Sequence, residues 1–258
     1  MSKLVDLLEK IDQVEPEPMG FSAVAGRDRR KAPIVLIGRV EPGRLAKSSK
    51  LADADVDAIV VWLDDLKERS VDKVAKSLEG RLWGVRARDV SQESAKHLKE
   101  KGCDFIVFDG EATEAAVLND KDLGKIVEVS PDLSEEMARA IHDMPFDVAL
   151  FTPAGDLLPL TIGKMMSIHQ VRGMIAKPFV MAAPTELGAS ELEVIRNAGI
   201  AGLLLDDYSA EDIDRIRGAA ASLPRRRSRP DHDALVPQMH ASGFPEQGAE
   251  EEEEEEDF

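Results

Sequence analysis

The stretch Lys101–Gly110 reads KGCDFIVFDG and contains the parts of one repeating unit. Gly102 can adopt the left-handed backbone conformation that ends a helix. The run Phe105–Phe108 (FIVF) is too short and too uniformly apolar for a half-exposed strand. We therefore predict a helix end followed by a strand that is buried on both faces and stops at Asp109.

Units of the same kind recur along most of the chain. Their apolar runs begin near residues 34, 59, 82, 105, 126, 148, 179 and 203, with helical segments between them. Six of the seven intervals span 21 to 25 residues, and the remaining one, 31 residues, contains the longer loop Thr152–Thr161. Regular strand–helix alternation predicts right-handed crossovers and a parallel sheet. Eight units is the number at which such a sheet closes on itself.

The pattern over residues 32–223 resembles the TIM-barrel superfamily, which implies a closed, eight-stranded parallel (β/α)8 barrel. Residues 1–31 are predicted to form an extra N-terminal helix and a loop, with the helix covering the bottom of the barrel. The first strand is predicted to end at Ile37, and residues 112–118 to form a short helix. The alternative is an open doubly wound sheet, but the first turn, GRVEPGR, lacks the GxGxxG pattern. A resemblance of fold implies no reaction.

Residues 224–258 differ in composition from the rest of the chain. Four arginines between 225 and 229 precede a polar segment and a polyglutamate end, which indicates a disordered tail. Glu250–Asp257 supply eight of the charges in the net −17, leaving about −9 elsewhere, so nucleic acid is not an expected partner. The tail either solvates the protein or brings its acidic end to a basic surface.

Other classes of protein are disfavoured by what the composition lacks. The single cysteine, Cys103, excludes an internal disulfide framework and cysteine-rich metal sites. The N-terminus lacks the apolar core of a signal peptide, and no run approaches the ~20 apolar residues of a membrane span. We expect no membrane interaction and a cytoplasmic location.

Two charged residues interrupt otherwise apolar strands. Arg86 and Glu128 are each flanked by apolar neighbours, in the third and fifth strands. Because side chains alternate between the two faces of a strand, both should face the barrel interior if their neighbours face the helices. A buried charge without a partner is costly, so we expect these two side chains to pair.

The pair has two interpretations. It is either an internal ion pair that plugs the barrel, or part of a site at the C-terminal ends of the strands, where barrel enzymes place their catalytic residues. In the second case Arg86 would hold a substrate carboxylate or phosphate, and Glu128 would act as a base or bind metal. The further candidates are Arg39 and Arg88 for substrate binding, Asp109 for catalysis, and Asp206 with Glu128 as ligands of Mg²⁺.

The residues at the strand ends narrow the chemistry. Neither lysine nor histidine occupies the C-terminal end of a predicted strand, which disfavours a Schiff-base aldolase and a histidine-rich metal centre. The leading interpretation is a lyase or isomerase acting on a small anionic metabolite, with Mg²⁺ as its candidate cofactor. The alternative is a barrel without a catalytic role that serves as a binding or scaffold protein.

The segment Ile162–Ile175 carries more apolar residues than one face of a barrel helix needs. Packing on the barrel explains most of them. A homodimer contact is the second interpretation.

Overall fold

A computed structural model describes residues 2–12, 34–45, 54–108 and 111–224. Eight strands form one closed sheet in chain order, and every neighbouring pair is parallel, including β1 with β8. The strands are β1 Val35–Val40, β2 Ala58–Trp62, β3 Trp83–Ala87, β4 Phe105–Phe108, β5 Gly124–Val129, β6 Val148–Phe151, β7 Phe179–Ala183 and β8 Gly202–Leu205. The predicted closed barrel is confirmed, and the open doubly wound alternative is wrong.

One helix precedes the sheet, and the others follow strands around the barrel. They are α1 Lys3–Asp12, α2 Pro42–Leu45, α3 Glu68–Ser77, α4 Gln92–Glu100, α5 Glu135–Asp143, α6 Ile162–Met174, α7 Ala189–Asn197 and α8 Ala210–Ser222. The predicted short helix over residues 112–118 is a 3₁₀ helix, Ala115–Asn119. None of the helices in the described part of the chain combines the length and apolarity that a membrane crossing requires.

The unit around β4 folds as its sequence predicts. Gly102 has a φ of 87°, and its N–H donates to the carbonyl of Lys99 at 2.9 Å, which ends α4. The N–H of Cys103 then donates to the carbonyl of Leu98, and all four residues of β4 are buried. The left-handed residue satisfies the carbonyls at the helix end and turns the chain into the sheet.

The first strand is longer than predicted. β1 continues through Gly38 and Arg39, and Arg39 is in register with Val60 of β2. A Cβ atom at Gly38 would lie 2.4 Å from the ring of Tyr208, so the glycine makes room for a buried aromatic side chain rather than ending the strand. Arg39 is therefore a residue of the barrel wall and not of the loop after it.

Apolar side chains form two layers, one between the sheet and the helices and one inside the barrel. The interior layer includes Ile37, Val60, Val107, Ile126 and Leu204, which alternate with residues facing the helices. These residues help to line a hollow of about 10 Å³, room for about one water molecule. The lower part of the barrel is therefore a packed apolar core.

Helix α1 closes the bottom of the barrel. Its buried residues Leu4, Val5 and Leu8 belong to the interior layer. Asp104, just before β4, accepts hydrogen bonds from the Ser2 hydroxyl at 2.6 Å and from the backbone N–H groups of Lys3 and Leu4 at 2.9 and 3.1 Å. These bonds satisfy donors at the start of the helix that have no partner within it. The predicted covering helix is confirmed.

Three predictions fall wholly or mostly outside the described residues. They concern the loop that precedes β1, the side chain of Asp109, and the tail, of which only Pro224 is described.

Candidate functional site

Arg86 and Glu128 meet at the upper end of the barrel interior. Arg86 is the fourth residue of β3 and Glu128 the fifth of β5, so the pair reaches across β4. The Nε of Arg86 donates to Oε1 of Glu128 at 2.6 Å, and an Nη donates to Oε2 at 2.8 Å. The side chains retain 22% and 24% of their exposure. The structure shows the pairing that strand alternation predicted, in the two-pronged geometry that gives strong guanidinium–carboxylate contacts.

Trp62 lies between two arginines. It is the last residue of β2, which is flanked in the sheet by β1 with Arg39 and by β3 with Arg86. The guanidinium carbon of Arg39 is 3.3 Å from the centroid of the Trp62 ring, and that of Arg86 is 4.2 Å from it. Both contacts lie within the range in which a cation is attracted to an indole face. The ring therefore fixes the positions of two positive charges at the mouth.

Arg39 has a carboxylate partner of its own. Its Nη1 donates to Oδ2 of Asp206, the first residue after β8, at 2.8 Å. The Arg39 side chain is 25% exposed and that of Asp206 is 50% exposed. The Nε of Arg39 is buried and has no hydrogen-bond partner among the described residues. This arginine keeps an unused donor next to an accessible ion pair.

Five of the described side chains at the mouth form two connected halves. One half is Arg86 with Glu128, the other is Arg39 with Asp206, and Trp62 contacts both arginines. We call these five residues the mouth cluster. The apolar interior layer lies below it, and Trp62 itself lines the small hollow. A ligand would therefore bind above the cluster, at the C-terminal ends of the strands.

Sequence reasoning missed Trp62. The available signal was its spacing: it follows the inward residue Val60 by two positions, and so faces the interior as Arg86 and Glu128 do. An aromatic residue at the end of an apolar strand is usually interpreted as core. Only the neighbouring strands reveal that it stacks on two guanidiniums.

The structure shows fewer contacts for the remaining candidate residues. Arg88 is exposed just beyond the end of β3, and its carbonyl accepts a hydrogen bond from the Thr113 hydroxyl at 3.3 Å. Asp109 lies outside the described residues. The roles of all these residues in binding or catalysis remain predictions.

Asp65, another carboxylate near the strand ends, has a local structural role. Its oxygens accept from the Lys67 ammonium at 2.6 Å and from the Ser70 hydroxyl at 3.2 Å, at the start of α3. The hydrogen bond from Lys67 holds the pKa of this exposed carboxyl below its usual value. The contacts are those expected of an acidic residue at the start of a helix.

The predicted metal ligands are already engaged. Both oxygens of Glu128 accept from Arg86, and Oδ2 of Asp206 accepts from Arg39. Within the described ranges, no three His, Cys, Asp or Glu side chains form a group that could hold a metal ion. A carboxylate paired with a guanidinium attracts a cation less strongly, so these ion pairs do not favour Mg²⁺ at Glu128 and Asp206. Mg²⁺ binding remains a prediction.

The comparisons with known proteins concern the fold. No protein-family model and no curated protein matches the chain. A mutant tryptophan synthase alpha-subunit from the hyperthermophile Pyrococcus furiosus is similar in structure, with a TM-score of 0.57 and 10% identity over 72% of this chain and 96% of that one. N-acetylneuraminic acid synthetase from Leptospira borgpetersenii has a TM-score of 0.54 and 11% identity over 78% and 88% of the two chains. At these identities the similarity shows the fold alone: the chain is a TIM barrel.

Proposed function

We propose that the protein is a lyase- or isomerase-type enzyme that binds a small anionic metabolite at the barrel mouth. The observation that supports this is the mouth cluster, in which two arginines held on one tryptophan are each paired with a partly exposed carboxylate. Arg86 is the principal anion-binding residue, Arg39 the second, and Glu128 the base.

Arg86 is suited to exchange its partner. A guanidinium presents a planar fork that matches a carboxylate or phosphate. A ligand anion that replaces Glu128 would restore both charge-assisted hydrogen bonds, so the exchange costs Arg86 no donor contacts. The stack on Trp62 holds the guanidinium in place during this exchange.

The same exchange frees Glu128 for proton transfer. Its carboxylate would then lie beside the bound anion, within reach of a carbon next to the anionic group. Glu128 takes the proton from that carbon, and the negative charge that develops on the substrate is stabilised by the arginines of the cluster. Asp206 keeps Arg39 in position. Asp109 is the proposed assisting group, and Arg88 at the rim adds positive charge for attracting an anion.

A second candidate function is a binding or scaffold protein without catalysis. It is favoured by the closed state of the Arg86–Glu128 pair, in which both carboxylate oxygens are used. An ion pair that serves only to fill the mouth would have the same geometry. The two candidates differ in whether Glu128 leaves Arg86 to take a proton from a bound ligand.

Binding is tested by titrating small carboxylates and phosphates while recording tryptophan fluorescence. The chain has two tryptophans, Trp83 is buried, and Trp62 belongs to the cluster, so Trp62→Phe should remove the response. Arg86→Met should abolish binding. Asp65→Asn, which breaks an exposed ion pair outside the cluster, is the matched control and should bind normally. A panel without any ligand contradicts the enzyme, whose substrate must displace Glu128, and is the result expected if the ion pair only fills the mouth.

Catalysis is tested by proton exchange. Ligands found in the titration are incubated with the protein in D₂O, and deuterium incorporation next to the anionic group is followed by NMR. We expect exchange with the parent and loss of at least about 100-fold in Glu128→Gln, the range of general base catalysis. Binding without exchange supports the scaffold function and refutes the enzyme. Thermal unfolding with and without Mg²⁺ or Mn²⁺ tests the metal, because a ligand that binds the native state raises its melting temperature.

A further inference from the structure

We infer that the acid bound at the barrel mouth carries an ammonium group on the carbon beside its acid group, as a 2-amino acid does. This ligand class rests on the proposed function, in which an acid takes the place of Glu128 on Arg86. In the closed pair both oxygens of Glu128 accept from Arg86. An acid that takes over the guanidinium therefore removes both of these bonds from Glu128 at once.

The surroundings of Glu128 compensate poorly for that loss. Its side chain is 24% exposed, so water reaches only part of it. Ile126, two residues earlier on the same face of β5, lies in the apolar interior layer, where the hollow has room for about one water molecule. A carboxylate without a partner is unfavourable in such a place. A hydrogen-bond donor on the ligand would take the place of the lost partner.

The other arginines at the mouth do not supply that donor. Arg39 donates to Asp206 at 2.8 Å, and its remaining donor without a partner, Nε, is buried. If Arg39 turned to Glu128, Asp206 would become the unpaired carboxylate instead. Arg88 at the rim is not free either. The donor that replaces Arg86 must therefore come with the ligand.

The balance of charge favours an ammonium over a neutral donor. The mouth cluster contains two guanidiniums and two carboxylates, so it has no net formal charge. A simple acid adds one uncompensated negative charge, and a diacid adds two, in a chain whose net charge is already −17. A 2-hydroxy acid gives Glu128 a hydrogen bond but leaves its charge unpaired. With one acid group and one ammonium, each charge of the ligand meets an opposite charge.

The position of the ammonium follows from the strands. Arg86 and Glu128 lie on β3 and β5, which are separated only by β4 and run about 10 Å apart. A ligand that inserts between these two side chains must present its charges close together. In a 2-amino acid the nitrogen is about 2.5 Å from the carboxylate carbon, because a single carbon joins them. A longer spacer would push Glu128 further from the place it occupies in the closed pair.

Holding an ammonium is compatible with the role of Glu128 as a base. A carboxylate has two oxygens and about four acceptor positions. One oxygen can accept from the ammonium while the other faces the carbon between the two charged groups, from which the proton is taken. Arg86 keeps two bonds, now to the acid group of the ligand, and keeps its stack on Trp62.

Matched triads of acids test this ligand class. Each triad shares one carbon chain and carries an ammonium, a hydroxyl or a hydrogen on the carbon beside the acid group. The triads are alanine, lactate and propionate; aspartate, malate and succinate; and phenylalanine, 3-phenyllactate and 3-phenylpropionate. Dissociation constants are measured at pH 7 from the fluorescence of Trp62.

We expect the 2-amino acid of the best-binding triad to bind at least about tenfold more tightly than its two relatives, because it alone leaves no partly buried charge without a partner. The isomer with its amino group one carbon further along should lose most of this advantage.

Two variants assign the preference to its partner. Glu128→Gln removes the carboxylate that the ammonium meets, so the 2-amino acid should lose its advantage. The plain acid should bind this variant at least as tightly as the parent, because Arg86 is released from its ion pair. Asp65→Asn lies outside the mouth cluster and should keep the preference. Circular dichroism shows that each variant is folded.

Two results would overturn the inference. One is a panel in which no 2-amino acid binds more tightly than its plain acid, and the other is a preference that Glu128→Gln retains. Plain acids that bind as tightly as the amino acids, and lose binding in Arg86→Met, would leave the proposed function standing while removing the ammonium from its ligand. The two proposals can therefore fail separately.

Discussion

Replacing Glu128 by Gln removes one charge of the mouth cluster while nearly preserving its shape. An exposed ion pair contributes ~0.2–1 kcal/mol, whereas breaking a fully buried pair costs ~3–5 kcal/mol. The Arg86 and Glu128 side chains are 22% and 24% exposed, so the pair lies between these limits. The variant keeps one amide oxygen that can accept from Arg86. We therefore expect a loss of about 2 kcal/mol in the free energy of unfolding.

A double variant tests whether this loss comes from the interaction between Arg86 and Glu128. Arg86→Met alone leaves the Glu128 carboxylate without its two donors and should cost about 2–3 kcal/mol. Arg86→Met combined with Glu128→Leu removes both charges and supplies apolar volume, so it should unfold within about 1 kcal/mol of the parent. The assay is equilibrium unfolding in urea followed by far-UV circular dichroism, with the slope compared among variants. Glu128→Leu alone completes the cycle.

The cycle also bears on function. Near-parental stability of the double variant would mean that the ion pair is not needed to hold the barrel together. Its retention would then be explained by binding rather than by packing. Additive single losses, with a coupling below about 0.5 kcal/mol, would refute the view that the two groups stabilise each other.

Two further predictions concern the lower barrel. Asp104→Ala should lower the free energy of unfolding by about 2 kcal/mol, because the start of α1 loses its acceptor. Asp104→Asn retains one acceptor oxygen and should lose less. Equal urea midpoints for the parent and the alanine variant would contradict this prediction. Burial raises the pKa of the Cys103 thiol to about 12 from an ordinary 9.0. The unfolded chain therefore ionises first, so this contribution to stability is complete below pH 9 and is lost between pH 9 and 12. Over that interval the unfolding free energy of Cys103→Ala should fall less steeply with pH than that of the parent, by up to about 1.4 kcal/mol per pH unit. The measurement is urea unfolding at several pH values from 8 to 11. The same pH dependence in both proteins would show the reasoning to be wrong.

The sequence determined the barrel because its signals are local and repeated. A short apolar strand recurs eight times at nearly regular spacing, and a left-handed glycine (Gly80, Gly102 or Gly199) ends the helix before three of these strands. The same alternation predicted that Arg86 and Glu128 would meet, since two residues on the inner wall of a closed sheet have few other partners. The error at β1 arose because Gly38 has the appearance of a strand end. The glycine is needed because the ring of Tyr208, which is distant in the sequence, occupies the space that a Cβ atom would take.

The mouth cluster was decided by tertiary structure. Arg39, Trp62 and Asp206 belong to β1, β2 and the loop after β8, and no spacing along the chain indicates that their side chains touch. Closure of the barrel makes β8 a neighbour of β1, which brings Asp206 to Arg39 across 167 positions of sequence. Local sequence fixed which residues face inwards because side-chain direction follows from backbone geometry. Their contacts depend on the register between strands, which only the closed sheet sets.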